Sequence, residues 1–447
     1  MRRSTQATRA EPVRAPAARR PSAPVRPASA VGGRSAGLGL AGLAVAAVAL
    51  WVTDLPSETE AAFAAAATAL PMLAYDLLVL KVHRRTSTGL RWRRAGGLLA
   101  GADLGRVAVK LLGLAATWAV IALGYWAFPE YHGDFYAPFW TALSVALPWL
   151  AVAAVPYFLL LDGRMAEPRD AYWQIGALLL GRRGAADAQL LRQHALGWLV
   201  KAFFLPLMFV WLSQSLAGLL DASIWSGDLA FSSLFDAVWR LSFVIDLAFG
   251  LIGYCLTLRV IDSHIRSTEP TMLGWVVALA CYPPFWAQIS EAYLAYDDQL
   301  EWGVWLADWP VANVLWGTAI AALALIYAAA TVAFGCRFSN LTHRGILTSG
   351  LYRWSKHPAY LSKNLFWWLV AVPFISSEGS AEAARHCLLL LGVNLLYYLR
   401  ARTEERHLSR DPDYVAYALW MNEHALLSRL GRIIPALRYR APLAVRS

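Results

Sequence analysis

Ten apolar stretches alternate with short polar ones along this chain, at about 36–53, 61–80, 107–128, 138–161, 196–220, 237–258, 271–290, 311–335, 364–375 and 385–399. Most come close to the roughly 20 residues that a helix needs to cross a hydrocarbon core of about 30 Å. In hydrocarbon each span must satisfy its own backbone, so helices are the expected form. The short alternating segments of a membrane β-barrel are absent from the sequence. The pattern therefore predicts an all-α, polytopic helical membrane protein with about ten transmembrane helices. The last two stretches are short for a crossing and form a hairpin.

The polar segments carry a sign pattern that tests this count. With the N-terminus inside, the outer loops are 54–60, 129–137, 221–236, 291–310 and 376–384. None of them contains Lys or Arg, and each contains Asp or Glu. Arg240 and Arg385 lie just past two of these loops and are the exceptions. The inner loops hold Arg84, Arg85, Arg91, Arg93 and Arg94, then Arg164, Arg169, Arg182 and Arg183, then Arg259 and Arg266, then Arg337, Arg344, Arg353 and Lys356. Basic residues collect on the cytosolic side of a membrane, and a miscounted span would scramble the alternation. Both termini are thus expected in the cytosol.

Composition agrees. Only 16% of residues are charged, against about 25% in soluble domains. The formal net charge of +10 is accounted for by the inner loops and needs no nucleic acid partner. Cys255, Cys281, Cys336 and Cys387 fall in or beside apolar stretches and form no CxxC, so neither a disulfide framework nor a zinc site is expected. The Arg- and Ala-rich composition fits a bacterial inner membrane.

Three regions follow. Residues 1–34 are rich in Arg, Pro, Ala and Ser with a single acid, Glu11. That composition predicts a disordered basic cytosolic tail, with a basic region too long for a signal peptide. Residues 35–310 form an N-terminal membrane domain of unknown role. A polar cytosolic linker, 163–195, interrupts it, and its apolar run Ile175–Leu180 is too short to span. Residues 311–447 form the closing membrane module. Inside the spans, Asp76, Lys110, Lys201, Arg240 and Asp246 are ionisable. Lys110 and Lys201 lie near the inner face and can snorkel. Asp246 sits near mid-span, either as a functional group or as the partner of a basic residue on another helix.

The chemistry concentrates in two inner stretches that flank the final hairpin, 350–364 and 400–417. Gly350 predicts a turn. His357-Pro358 stops any helix running into it, and Pro358 opens a new one. That helix start offers free backbone N–H groups to a carboxylate or phosphate, with Lys356, His357 and Lys363 adding positive charge. On the second stretch Tyr398, Arg402 and Glu405 share one helix face, and Tyr397, Arg400 and Glu404 the adjoining one. Paired carboxylates there can hold an amine or a ribose, or simply pair with neighbouring Arg residues.

Gly350-Leu-Tyr352, Lys356-His357-Pro358-Ala-Tyr360, Glu404-Glu405-x-x-Leu408 and Tyr414-x-x-Tyr417 together resemble the isoprenylcysteine carboxyl methyltransferase family and its wider phospholipid methyltransferase group. Phe338-Ser339, His343 and Arg432-Ile-Ile-Pro435 fit the same pattern loosely. The resemblance covers about residues 330–436. It implies a helical membrane enzyme that binds S-adenosylmethionine at the cytosolic end of its last helices. Carried over, the cofactor-binding residues would be Tyr352, Lys356, His357, Pro358, Tyr360, Glu404 and Glu405. Arg400 and Arg402 would orient an anionic acceptor, and Glu405 or His407 would serve as base for an amine. The implied activity is methyl transfer to a membrane lipid, isoprenoid or lipidated acceptor, with no metal. Lys356 stands where Arg is common, Ser362 where Gly is common, and Asp411-Pro412 where Phe-Gly is common, departures that bear on the substrate.

Two other readings compete. Sterol and isoprenoid double-bond reductases share a similar His-containing turn and a tyrosine-rich C-terminus, and would use NADPH. A transporter or non-catalytic scaffold would make Asp246 its site. A di-iron oxygenase is excluded, because no two His residues stand at i,i+3 or i,i+4 spacing.

Overall fold

The computed structural model describes residues 25–92, 100–182, 184, 186–294 and 300–441. Its α-helices are α1 (Gly33–Trp51), α2 (Ser57–Ala74), α3 (Leu104–Ala127), α4 (Ala137–Asp162), α5 (Ala171–Leu179), α6 (Ala188–Leu220), α7 (Phe231–Cys255), α8 (Met272–Leu279), α9 (Phe285–Ala287), α10 (Trp302–Trp305), α11 (Pro310–Val332), α12 (Pro358–Ala371), α13 (Ser380–Leu408), α14 (Pro412–His424) and α15 (Ser428–Ile433). The one sheet among the described residues pairs β1 (Ser267–Thr268) antiparallel with β2 (Thr342–His343). The protein is an all-α polytopic membrane protein.

Six helices among the described residues are long and apolar enough to cross a membrane: Gly33–Trp51, Ser57–Val79, Leu104–Ala127, Asp134–Asp162, Ala188–Ser226 and Pro310–Val332. They coincide with six of the ten expected crossings. α7, packed on α6 and α11, and α13, packed on α8 and α12, have 25 and 29 residues and are long enough to cross at about 1.5 Å per residue. The remaining two expectations fare differently. The stretch 271–290 is not one helix: α8 has 8 residues, and the chain breaks at Pro283-Pro284 because proline cannot continue a hydrogen-bond ladder. α12 has 14 residues, about 21 Å.

α6 and α7 form the centre, where Phe204, Leu212, Leu216, Ala248 and Phe249 are fully buried. Lipid tails are as apolar as the side chains, so association relies on close backbone approach and polar contacts. Gly113 on α3 and Gly176 on α5 face each other for that reason. A Cβ at Gly113 would lie 1.9 Å from the Tyr172 carbonyl oxygen, and one at Gly176 would lie 2.0 Å from that of Val109. The linker 163–195 thus holds a helix docked on α3. Lys110 does not snorkel: it is fully buried, with Nζ 2.9 Å from Asp162. Arg106 donates to both oxygens of the same carboxylate at 2.7 Å. Lys201 turns onto the ring of Trp198, with Nζ 3.1 Å from its centroid. No basic residue among the described ones lies within 4 Å of the Asp246 carboxylate. It accepts hydrogen bonds from the hydroxyls of Tyr327, at 3.1 Å, and Thr331, both on α11.

The two ends of the bundle separate as the charge alternation requires. Segments expected inside meet one another: Leu90 bridges to Met165, Ser87 donates to Asp262, and β1 pairs with β2. At the opposite end Trp51 packs on Trp225. Residues 25–32 depart from the expected disorder, while 1–24 lie outside the described residues. Thr348 donates to the Pro27 carbonyl at 2.8 Å, and the Ala30 N–H donates to that of Ile346 at 2.9 Å. Val31 packs with Leu347 and Tyr352. The N-terminal segment is therefore strapped onto the closing module. Buried Arg344 joins the same halves, donating to the carbonyls of Gly253, Leu256, Ser263, Cys336 and Phe338 at 2.6–3.1 Å.

Candidate functional site

Gly350 adopts φ +59, the left-handed turn that glycine tolerates best. A 3-10 turn, Gly350–Arg353, follows. The stretch is held from above by α14: the Tyr417 hydroxyl donates to the Tyr352 carbonyl at 2.6 Å. Tyr414 and Tyr417 are otherwise core, packed with Ile346, Met421 and Tyr439. His357 caps α12, which begins at Pro358 as expected. Pro358 is buried at the helix start, and its ring sets the backbone angle there.

Across the hairpin mouth, one stripe of α13 faces inward. Tyr397, Arg400, Thr403, Glu404, His407 and Leu408 line a cavity of about 110 Å³. Tyr352, Lys356, His357, Ala359, Tyr360 and Lys363 form the facing wall. Segments outside the two stretches close it: Glu269, Gly274, Ala278 and Tyr282 on one side, Tyr327 and Thr331 of α11 below, and 338–342 at the back. Of the expected site residues, Tyr352, Lys356, His357, Tyr360, Arg400 and Glu404 meet at this cavity, whereas Pro358, Arg402 and Glu405 do not line it. Both helix faces read from the sequence exist. The one bearing Tyr397, Arg400 and Glu404 is turned to the cavity.

Glu405 is occupied inside the protein. Lys356 Nζ lies 2.5 Å from its Oε1, His357 Nε2 lies 3.3 Å from the same atom, and Arg402 Nη1 donates to Oε2 at 2.9 Å. Burial opposes its ionisation, yet the His357 hydrogen bond and the Lys356 charge prevail and hold the carboxyl at about 2. Neither Glu405 nor Lys356 is therefore a free anchor. Glu404 accepts the Tyr360 hydroxyl at 3.0 Å and lies 3.8 Å from His357 Nδ1. The His357 and Tyr360 rings stack at 5.5 Å. The Arg400 guanidinium sits 5.1 Å over the Tyr360 ring and donates to Asn340 Oδ1 at 3.0 Å.

Further cavity residues escaped the sequence reading. Asn340 donates to the hydroxyls of Tyr254 and Tyr282 at 2.9 and 3.0 Å, so it positions Arg400 against a tyrosine cluster. Lys363, read from the sequence as part of the positive charge at the helix start, lies 4.5 Å over the Tyr327 ring. Glu269 and Tyr282 come from the N-terminal region. The only local signal for Glu269 is Ser-Thr-Glu-Pro-Thr before a helix, which reads as a cap. His343 lies apart, 3.1 Å from Asp411. No group of three His, Cys, Asp or Glu among the described residues could hold a metal.

The cavity therefore offers cations and carboxylates on facing walls, aromatic faces between them and a helix start at one edge. That set can bind a zwitterion or an anion and shield it from water. Residues 311–420 are similar to a family described as a protein of unknown function, DUF1295. No curated protein and no solved structure matches the chain. The matched residues hold α11, α12, α13 and part of α14, and so both walls of the hairpin mouth.

Proposed function

We propose that this protein is an S-adenosylmethionine-dependent methyltransferase acting on a membrane-embedded lipid or isoprenoid acceptor. The observation that carries the reading is the cavity at the hairpin mouth, where Arg400 and Glu404 of α13 look across at His357 and Lys363 beside the start of α12. The cofactor's aminoacyl end is zwitterionic, and such a site can meet both of its charges. The motif resemblance named above supports it.

The residues present fit this cofactor. The Ala359 and Tyr360 backbone N–H groups at the helix start suit a carboxylate, and Glu404 suits ribose hydroxyls. The Tyr352, Tyr360 and Tyr397 rings can flank an adenine or sulfonium. S-adenosylmethionine would supply an electrophilic methyl group. The protein's part is then to align the acceptor and exclude water. Arg400 would orient an anionic acceptor. Arg402 points to Glu405 and supports the wall. The charge alternation supports a cytosolic orientation of this end, from which the site would take its cofactor.

A reductase reading draws on the cations Lys363 and Arg400, which could meet the phosphates of NADPH. Thermal-shift titration of the purified protein in detergent separates the two. Stabilisation by S-adenosylhomocysteine and none by NADPH is expected. The reverse result would replace methyl transfer with hydride transfer.

A further inference from the structure

The carboxylates around the cavity differ in what they already hold. Glu405 is taken up by Lys356, His357 and Arg402. Glu404 is 40% exposed at its side chain and accepts the Tyr360 hydroxyl. Glu269 is 3% exposed and lines the cavity. It follows β1 and lies outside the family match. Its Oε1 accepts from the Thr271 N–H at 2.9 Å and from the Thr271 hydroxyl. Its Oε2 accepts no hydrogen bond among the described residues, and no Lys or Arg there comes within 4.0 Å of it. His407 Nδ1 lies 3.9 Å away. His407 turns its other nitrogen to Ser267 Oγ at 2.9 Å. Burial pushes the imidazole down to about 4, so it carries no compensating charge near pH 7. A buried carboxylate with one oxygen unused is costly unless a donor or cation reaches it.

We infer that Glu269 anchors the α-ammonium group of the cofactor's aminoacyl end, so that the N-terminal region completes a site whose other walls come from the closing module. This rests on the S-adenosylmethionine reading above. It gives the N-terminal spans a role in binding: they carry β1, Glu269 and Tyr282 to the cavity. It also leaves the ammonium an anchor although Glu405, one of the two carboxylates expected to bind the cofactor, is engaged by Lys356, His357 and Arg402.

Calorimetric titration in detergent tests it, with S-adenosylhomocysteine and its desamino analogue as probes. The intact protein should prefer the amine-bearing ligand by about ten- to a hundredfold, the worth of one charge-assisted hydrogen bond. In Glu269→Gln that preference should vanish, while affinity for the desamino ligand stays unchanged. Gln keeps an oxygen for Thr271, which favours folding. Should it fail to fold, Glu269→Asp takes its place, with a smaller loss of preference expected. Thr271→Ala, which touches only Oε1, should keep the preference. Equal affinity of the intact protein for both ligands, or equal loss of both in Glu269→Gln, would overturn the assignment and leave the cofactor reading standing. If the intact protein binds neither ligand, the cofactor reading fails and this inference with it.

Discussion

Glu405 shows how far a residue's surroundings decide its role. Its three partners differ in exposure: the Lys356 side chain is 13% exposed, His357 16%, and Arg402 44%. Breaking a buried ion pair strands the other charge and costs about 3–5 kcal/mol, while an exposed pair is worth about 1 kcal/mol or less. Glu405→Gln should therefore lower the melting temperature in detergent far more than Arg402→Ala. Equal losses would count against the pairing described. The pH response has a definite sign. Glu405 has a folded pKa of about 2 against 4.5, so its contribution is complete above 4.5 and is lost as pH falls toward 2. Buried His407 has a folded pKa of about 4 against 6.5. Below pH 6.5 the unfolded chain takes up a proton that the folded chain refuses, so stability falls from there toward pH 4. His264, held down to about 3 by burial, acts in the same direction. Melting temperatures across pH 6.5 to 4.5 should slope downward, and His407→Gln should remove part of that slope. An unchanged slope would assign it to other groups.

At the scale of elements, small residues and hydroxyls do the joining. α5 sits on α3 only because Gly113 and Gly176 have no Cβ. Gly176→Leu would drive a side chain into the Val109 carbonyl, so α5 must lift away. Protease sensitivity of the 163–195 segment should rise sharply while the rest of the protein stays folded, and unaltered sensitivity would refute this packing. α7 is tied to α11 through Asp246 and the hydroxyls of Tyr327 and Thr331. Removing one such buried hydrogen bond costs about 1–3 kcal/mol. Asp246→Asn should accordingly lower stability by about that much, with ligand affinity close to normal. Tyr327→Phe should lower it similarly. Lost ligand binding in a fully stable Asp246→Asn protein would instead move Asp246 into the site.

The whole molecule behaves as interlocked halves. Arg344 reaches three carbonyls of the N-terminal region, β1 pairs with β2, and residues 27–30 bond to 346–349. Residues 311–447 expressed alone should fail to accumulate as a stable, ligand-binding protein, whereas co-expression with 1–310 should restore it. A stable, binding-competent fragment would show that the N-terminal spans are dispensable. The same interlocking ties the site's orientation to that of the bundle. Reporter fusions after Arg266, Lys356 and Glu405 should read cytosolic, and one after Asp228 external. An external signal at Lys356 would place the cavity away from a cytosolic cofactor.

The sequence by itself determined the class of the protein, the positions of most long helices and which loops share an end. These follow from local quantities: hydropathy over about 20 residues, and charge next to a span. It also placed the start of α12 at Pro358, because proline and glycine act on their own backbone. Which face of α13 meets the cavity was not legible, since Glu404 and Glu405 are adjacent and each has cations in reach along the helix. Only the approach of Lys356 and His357 from α12 decided that Glu405 is consumed and Glu404 presented. Glu269 lies 135 residues before Glu404, and no spacing rule links them. Its place at the cavity, like the hydroxyl partners of Asp246, depends on contacts between helices distant in the chain.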